Sequence, residues 1–224
     1  MNLLALETST RMGSIALLSG GSLIAEFQTG ITPTYSAMML PLIEQVLQAA
    51  GMAINDIDIL AVAQGPGSFT SLRIGMSIAL GLSIAAEKKI IPVPSLDGLA
   101  YNAYCCGHLV CPMIDARRGE IYYALYRFAE RGRLQRITPY GVAPPERIAG
   151  EIDETVVLLG EGAAAYSDRL VGALGEKARV APPHLHYPRA SAIGAIALQR
   201  LSEPRHDAAP IMPLYVRPPD AEAK

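Results

Sequence analysis

The feature that most constrains this chain is a change of period within its first 94 residues. Three short β-prone runs come first, LLALETS (Leu3 to Ser9), SIALLS (Ser14 to Ser19) and SLIAEFQ (Ser22 to Gln28). Gly13 and the Gly20-Gly21 pair separate them, the punctuation of tight hairpins. After Pro33 the apolar residues from Tyr35 to Ala50 recur through successive helical turns and stop at Gly51, a residue suited to the position just past a helix. IDILAVA (Ile57 to Ala63) is a continuous apolar run, as expected of a strand buried on both faces. A loop QGPGS, a helix from about Phe69 to Glu87 and a strand KIIPVP (Lys89 to Pro94) complete the series. That order predicts hairpin-linked antiparallel strands followed by parallel strands joined through crossover helices.

The second half starts again with strands. LVCPMID (Leu109 to Asp115) and IYYALYRF (Ile121 to Phe128) flank the turn ARRGE. RLQRIT (Arg133 to Thr138) and TVVLLG (Thr155 to Gly160) read as strands, Ala163 to Leu174 and Ser191 to Leu201 as helices, and Leu214 to Arg217 as a short strand in a proline-rich tail. The fold expected is α/β, two actin-like (ribonuclease-H-like, ASKHA) half-domains, each a mixed sheet flanked by helices. The first domain is expected over 1–100 plus about 205–224, the second over about 101–204.

Composition narrows the classes. With 224 residues, 50% hydrophobic and 18% charged, the chain can bury a core and is not a disordered one. The nearly apolar run Ile74 to Ala86 is shorter than the ~20 residues of a membrane span, and the segment MNLLALETS has no basic leader, so a cytoplasmic protein is expected. Nineteen basic against twenty-one acidic residues give a net charge of −2, which argues against a chain that grips nucleic acid by itself. The charge is uneven. Residues 101–150 hold seven arginines against four acidic residues, or +3, so any nucleic-acid contact belongs there, although a solvated basic hairpin is the plainer explanation. Cys105, Cys106 and Cys111 form no CxxC pair and read as small core residues. His108, His184, His186 and His206 have no metal-ligand spacing, and His184 and His186 read as loop residues.

The segment richest in chemistry is GPGSFTSLRIG (Gly65 to Gly75). It follows a buried strand and opens a helix, so free N–H groups gather at a positive helix end. Gly65 and Gly67 permit close approach of an anion, and Ser68 or Thr70 can cap the helix or bind a phosphate oxygen; a capped tight turn is the plainer alternative. ETST (Glu7 to Thr10) ends the first strand, and DARRGEIY (Asp115 to Tyr122) is its counterpart, with Arg117 or Arg118 able to pair with an anion. Ser71, Gly75 and Ala79 recur every four residues, a small-residue stripe that lets another helix approach closely. The preceding helix carries Met38, Met39, Leu40, Leu42, Ile43, Val46 and Leu47 around most of its circumference, so it is either fully buried or faces a partner.

LALETST, MMLPLIEQVLQAAG, DIDILAVAQGPGSFTSLRIG, IPVPSLDGLA and IDARRGEIYYALY, with PLYVRP near the end, together resemble the TsaB family. The resemblance implies a duplicated actin-like ATPase fold and a non-catalytic scaffold. That scaffold pairs with the paralogue TsaD and works with the ATPase TsaE to place threonylcarbamoyl on the adenosine beside the anticodon of tRNA. In TsaD-like proteins two metal-binding histidines, four apart, follow the last strand of the first half; the matching positions here are Ser95 and Leu99. No metal, no catalytic residue and no cofactor of its own are therefore expected. ATP or ADP is expected only at the complex interface, with Glu7, Thr8, Gly65, Gly67, Ser68 and Thr70 the nucleotide-facing candidates. Glu7 stands where many members have Asp, and Ser71 where glycine follows GPGSFT; both weigh against nucleotide binding by the chain alone. The partner-binding surface expected is Met38, Met39, Leu42, Val46, Ser71, Gly75, Ile78, Ala79 and Leu82, and the same surface is expected to form a homodimer when the chain is alone. tRNA is expected to be met indirectly, through the complex. The competing readings are a nucleotide-binding actin-like ATPase or hydrolase acting on its own, and a tRNA-binding module built on Arg117, Arg118, Arg127, Arg131, Arg133 and Arg136.

Overall fold

The computed structural model describes residues 1–30, 35–202 and 211–217. β1 (Asn2–Glu7), β2 (Met12–Ser19) and β3 (Ser22–Gly30) form an antiparallel meander. Gly20 and Gly21, at φ 57° and 86°, supply the two left-handed residues that a two-residue hairpin turn requires. α1 (Tyr35–Ala49) follows and closes at Gly51 (φ 66°), where Met52 N–H reaches back to the Leu47 carbonyl. β4 (Ile59–Ala63) pairs parallel with β1; after α2 (Phe69–Ala86), β5 (Lys89–Val93) pairs parallel with β4. The sheet order is β3-β2-β1-β4-β5, with the antiparallel strands first and the parallel ones after, as the sequence pattern predicts.

On one face of this sheet Leu4, Leu6, Ile15 and Leu17 pack with Met39, Ile43, Val46 and Leu47 of α1 and Met76 and Ala79 of α2. α1 is thus not apolar all round in use. Its other side, with Met38, Leu40, Glu44, Gln45 and Gln48, is exposed. α2 is long and apolar enough to cross a membrane by length and composition, more so than its Ile74 to Ala86 portion suggested, yet Leu72, Gly75, Met76 and Ala79 are buried in this unit.

α3 (Ser95–Ala100) leads into the second unit, built on β6 (Leu109–Arg117), β7 (Glu120–Tyr123), β8 (Tyr126–Phe128), β9 (Leu134–Arg136) and β10 (Gly141–Ala143). α4 (Pro145–Ile148), β11 (Val156–Leu159), α5 (Glu161–Ala165), α6 (Ser167–Leu174) and β12 (Ala178–Val180) follow. The main path is β10-β7-β6-β11-β12, with β8 paired to β6 and β9; β11 runs parallel to β6 and β12. Its core gathers Met113, Ile121, Leu125, Ile148, Leu158 and Leu170. The helix expected from Ala163 to Leu174 is broken at Tyr166 (φ −115°, ψ 23°), which ends α5 and opens α6.

The last helix, α7 (Ala190–Leu201), corrects the expected domain boundary. It packs on β1, β2, β4 and β5, with Ile193 and Ala197 fully buried, and Arg200 donates to Asp97 Oδ2 (2.9 Å) and the Pro92 carbonyl (2.9 Å). The compact units are Met1–Gly98 with Pro188–Leu214, and Leu99–Tyr187 with Tyr215–Lys224. The tail does not return to the first unit throughout. Leu214 N–H donates to the Gln64 carbonyl, whereas Arg217 reaches Glu120 and the Ala116 carbonyl in the second unit. Residues 211–217 form no strand, contrary to the expectation for Leu214 to Arg217. The remainder of the proline-rich tail lies outside the described residues.

Candidate functional site

The turn after β1 is interior. Glu7, Thr8 and Ser9 have no exposed surface and Thr10 only 2%. What covers them is the loop between β4 and α2. Ser68 N–H donates to the Ser9 carbonyl at 2.7 Å, and a Cβ on Gly67 would lie 2.3 Å from that same oxygen, so only glycine lets the two segments touch. Gly75, in the second turn of α2, is required for the same reason: its Cβ would stand 2.2 Å from Thr8 Oγ1. The loop is fixed from the other side by Ser95, whose Oγ accepts from Gly65 N–H (3.1 Å) and whose N–H donates to the Gly65 carbonyl (2.8 Å).

Of the nucleotide-facing candidates, Gly67 and Ser68 lie against Ser9 in the turn that follows Glu7 and Thr8, Gly65 is tied to Ser95, and Thr70 is exposed on the first turn of α2. Ser68 occupies the N-cap position without a side-chain cap bond, and its Oγ shares a hydrogen bond with Ser71 Oγ at 3.0 Å. Glu7 Oε1 accepts from Ser9 N–H at 2.5 Å, while Glu7 Oε2, Thr8 Oγ1 and Ser9 Oγ are buried without a hydrogen-bond partner among the described residues. Burial outweighs the hydrogen bond from Ser9 N–H and raises the Glu7 pKa from 4.5 to about 7. At neutral pH this carboxyl is therefore poised between its two forms. An anion approaching the α2 end would compete with the Ser9 carbonyl for a donor already engaged.

The corresponding turn of the second unit is exposed. Arg117 (φ 63°), Arg118 (φ 57°) and Gly119 (φ 79°) are left-handed in succession. Arg117 N–H donates to Asp115 Oδ1 (2.9 Å), and its guanidinium lies 3.5 Å from Asp115 Oδ2. Tyr166 donates its hydroxyl to the same carboxylate (3.3 Å); burial first, then Asp115, raises its pKa.

The expected partner surface divides. Met39 (3% exposed), Val46 (6%), Gly75 and Ala79 (0%) are interior, because this side of α1 and α2 closes over their own sheet and the β1–β2 turn. Ser71, Leu42, Ile78 and Leu82 are half-buried, and Met38 is exposed. Within the small-residue stripe Gly75 faces Thr8, Ala79 is buried in the first core, and Ser71 shares its hydrogen bond with Ser68. Sequence reasoning placed no weight on Leu80 (46% exposed) and Ile84 (72%), which are exposed on α2 with Phe69, or on Leu40, exposed on α1. The signal was present in the helical spacing of Phe69, Arg73, Leu80 and Ile84.

Ser95 and Leu99, at the positions compared with metal-binding histidines, are fully buried in α3, and neither residue type fits a metal of the TsaD kind. Cys111 is core, as expected; Cys105 is exposed and Cys106 half-buried. His186 lies in a loop, as expected, but is buried there: its Nδ1 accepts from Gly160 N–H at 3.0 Å, and burial lowers its pKa. His184 is exposed.

Comparison with known proteins sets the class. Residues 18–224 match the family model described as "TsaD: tRNA N6-adenosine threonylcarbamoyltransferase". The structure resembles YeaZ from Pseudomonas aeruginosa with a TM-score of 0.82 and 29% identity, covering 96% of this chain and 99% of that one. Component A of the (R)-2-hydroxyglutaryl-CoA dehydratase of Acidaminococcus fermentans shares the fold at a TM-score of 0.54 and 12% identity, over 91% of this chain and 100% of that one. The chain is a TsaD-related protein of actin-like ATPase fold. Among curated relatives, the tRNA threonylcarbamoyladenosine biosynthesis protein TsaB of Bacillus subtilis is 32% identical over all of this chain and 97% of its own length. The chain belongs to the TsaB family.

Proposed function

We propose that this chain is a cytoplasmic, non-catalytic scaffold of a complex that transfers threonylcarbamoyl to the adenosine beside the anticodon of tRNA, and that it acts by forming a heterodimer with a TsaD-type partner. The observation that carries the reading is the pairing of Ser95 and Leu99. Where the paralogue has metal ligands, this chain has a hydroxyl tied to Gly65 and an apolar core residue. Two further features support it. The N–H of Ser68 is taken by the chain's own Ser9 carbonyl, which favours nucleotide binding at the complex interface over binding by this chain alone. The outward apolar residues Met38, Leu40, Leu80 and Ile84 supply a surface for the partner, and for a second copy when no partner is present.

The test is threonylcarbamoyladenosine formation on tRNA, followed by mass spectrometry in a reconstituted mixture with TsaD, TsaE and the adenylate-forming enzyme, each omitted in turn. Product is expected to disappear without this chain, and this chain alone is expected to make none. Normal product in its absence would sink the scaffold reading. Calorimetric titration with ATP separates the alternative, because micromolar affinity in the isolated chain would mark an independent nucleotide-binding ATPase.

A further inference from the structure

The second unit carries an aromatic and basic surface that the scaffold role does not use. Tyr101, Tyr104 and Phe128 touch one another, with ring centroids 5.3 Å (Tyr101–Tyr104), 5.6 Å (Tyr104–Phe128) and 6.1 Å (Tyr101–Phe128) apart. Tyr104 is 53% exposed. Its ring is held in place from below: a Cβ on Gly132, at φ 72°, would meet Tyr104 Oη at 2.2 Å, so the hairpin loop leaves that space to the ring. The result is a supported aromatic face with one side in water.

The charge around it is concentrated. Residues 126–136 hold Arg127, Arg131, Arg133 and Arg136 against Glu130, or +3 in a chain whose net charge is −2. Arg127 is committed to Glu154. Arg133 and Arg136 are exposed, and the Arg136 guanidinium lies 4.0 Å from the Tyr140 ring centroid. In the β8–β9 register Phe128 stands opposite Leu134 and Tyr126 opposite Arg136, so Phe128 and Arg136 share one side of the hairpin. Fixed rings beside arginines form the combination that holds single-stranded nucleic acid, the rings stacking bases and the guanidinium groups meeting phosphates.

We propose that the Tyr101–Tyr104–Phe128 platform, with Arg133 and Arg136, is a surface for unpaired RNA bases. The choice of RNA as occupant rests on the tRNA-modification reading above. A protein partner is the other class that tyrosine and arginine attract, and the measurement discriminates between them.

The probe is a short fluorescein-labelled single-stranded oligoadenylate, titrated by anisotropy into the full chain over a range of salt concentrations. Tyr104→Ala is expected to weaken binding about tenfold, the loss of one stacked base, whereas Tyr104→Phe retains it. Replacing Arg133 and Arg136 with Ala is expected to lower the slope of log affinity against log salt by about 1 to 1.5. Thermal melts confirm that the variants remain folded, and Arg136→Glu gives a surface variant that disturbs no packing under the ring. Failure of the unaltered chain to bind at low salt, or equal binding by Tyr104→Ala and the arginine variants, overturns the proposal. So does loss of the TsaD-type partner by these variants with RNA affinity intact, which makes the surface a protein contact. If the omission assay yields product without this chain, the scaffold reading fails, while a Tyr104-dependent RNA affinity still supports this surface.

Discussion

Glu7 is a fully buried carboxyl with one satisfied oxygen, and it sets a definite pH response. Its folded pKa is about 7 against 4.5 when exposed. Below 4.5 both states hold the proton and burial costs nothing extra. Between 4.5 and 7 the folded state binds more protons, so stability falls as pH rises, and above 7 the cost is complete at roughly 3 kcal/mol. Thermal melts are expected to show the unaltered chain losing stability from pH 5 to pH 8, and Glu7→Gln removing most of that slope; parallel slopes would show that Glu7 does not titrate in this window. His186 acts in the opposite sense, since its pKa is lowered: its contribution is present above the unfolded value of 6.5 and is lost as pH falls below it. Gly75 gives a second residue-scale outcome. A methyl group there meets Thr8 at 2.2 Å, so Gly75→Ala is expected to cost about 1–3 kcal/mol in urea unfolding.

At the scale of elements, α2 has two apolar sides with different work. Leu72, Met76 and Ala79 are buried in the core, while Leu80 and Ile84 are exposed on the other side. Leu80→Glu with Ile84→Glu is expected to give a folded monomer that no longer co-purifies with a TsaD-type partner. Met39→Glu with Val46→Glu is expected to prevent folding, because it buries two charges without partners in the first core. Retained complex by the outer pair would remove that face from the interface. The contrast shows what was legible. Strand and helix order in the first 93 residues follows from the Gly20-Gly21 hairpin and a change of period, and α2 starts where expected, whereas Gly13 lies inside β2 and not in the turn it was expected to mark. Burial side was not legible, because α1 is apolar at positions around its circumference and the pattern does not say which of them meet the sheet. The small-residue stripe was visible, but what its Gly75 meets, the Thr8 turn 67 residues earlier (75 − 8), was not. β10 and β12 are three residues long, too short to show a period, and the break at Tyr166 has no glycine or proline to announce it.

For the whole molecule, the consequential surprise is that the first unit is completed by α7, after the second unit has been built. Its sequence says helix, but nothing local says which sheet it covers. The contact is close: a Cβ on Gly194 would lie 2.6 Å from Leu18 Cδ1 and 3.1 Å from Leu3 Cδ2, so the helix rests directly on β1 and β2. α7 thereby covers the face of the first sheet opposite α1 and α2, which otherwise leaves Leu3, Ala5 and Leu18 in water. The first unit therefore depends on contacts between residues more than 190 apart in sequence, and its folding waits on α7 (Leu3 and Gly194 differ by 191 positions). A chain ending at Tyr187 is expected to lose cooperative unfolding in urea and to bind a dye for exposed apolar surface. Gly194→Leu in the full chain is expected to lower the midpoint while leaving the transition cooperative, since the helix is still present but held off the strands. Cooperative unfolding of the truncated chain at an unchanged midpoint would show that the first sheet is stable without α7.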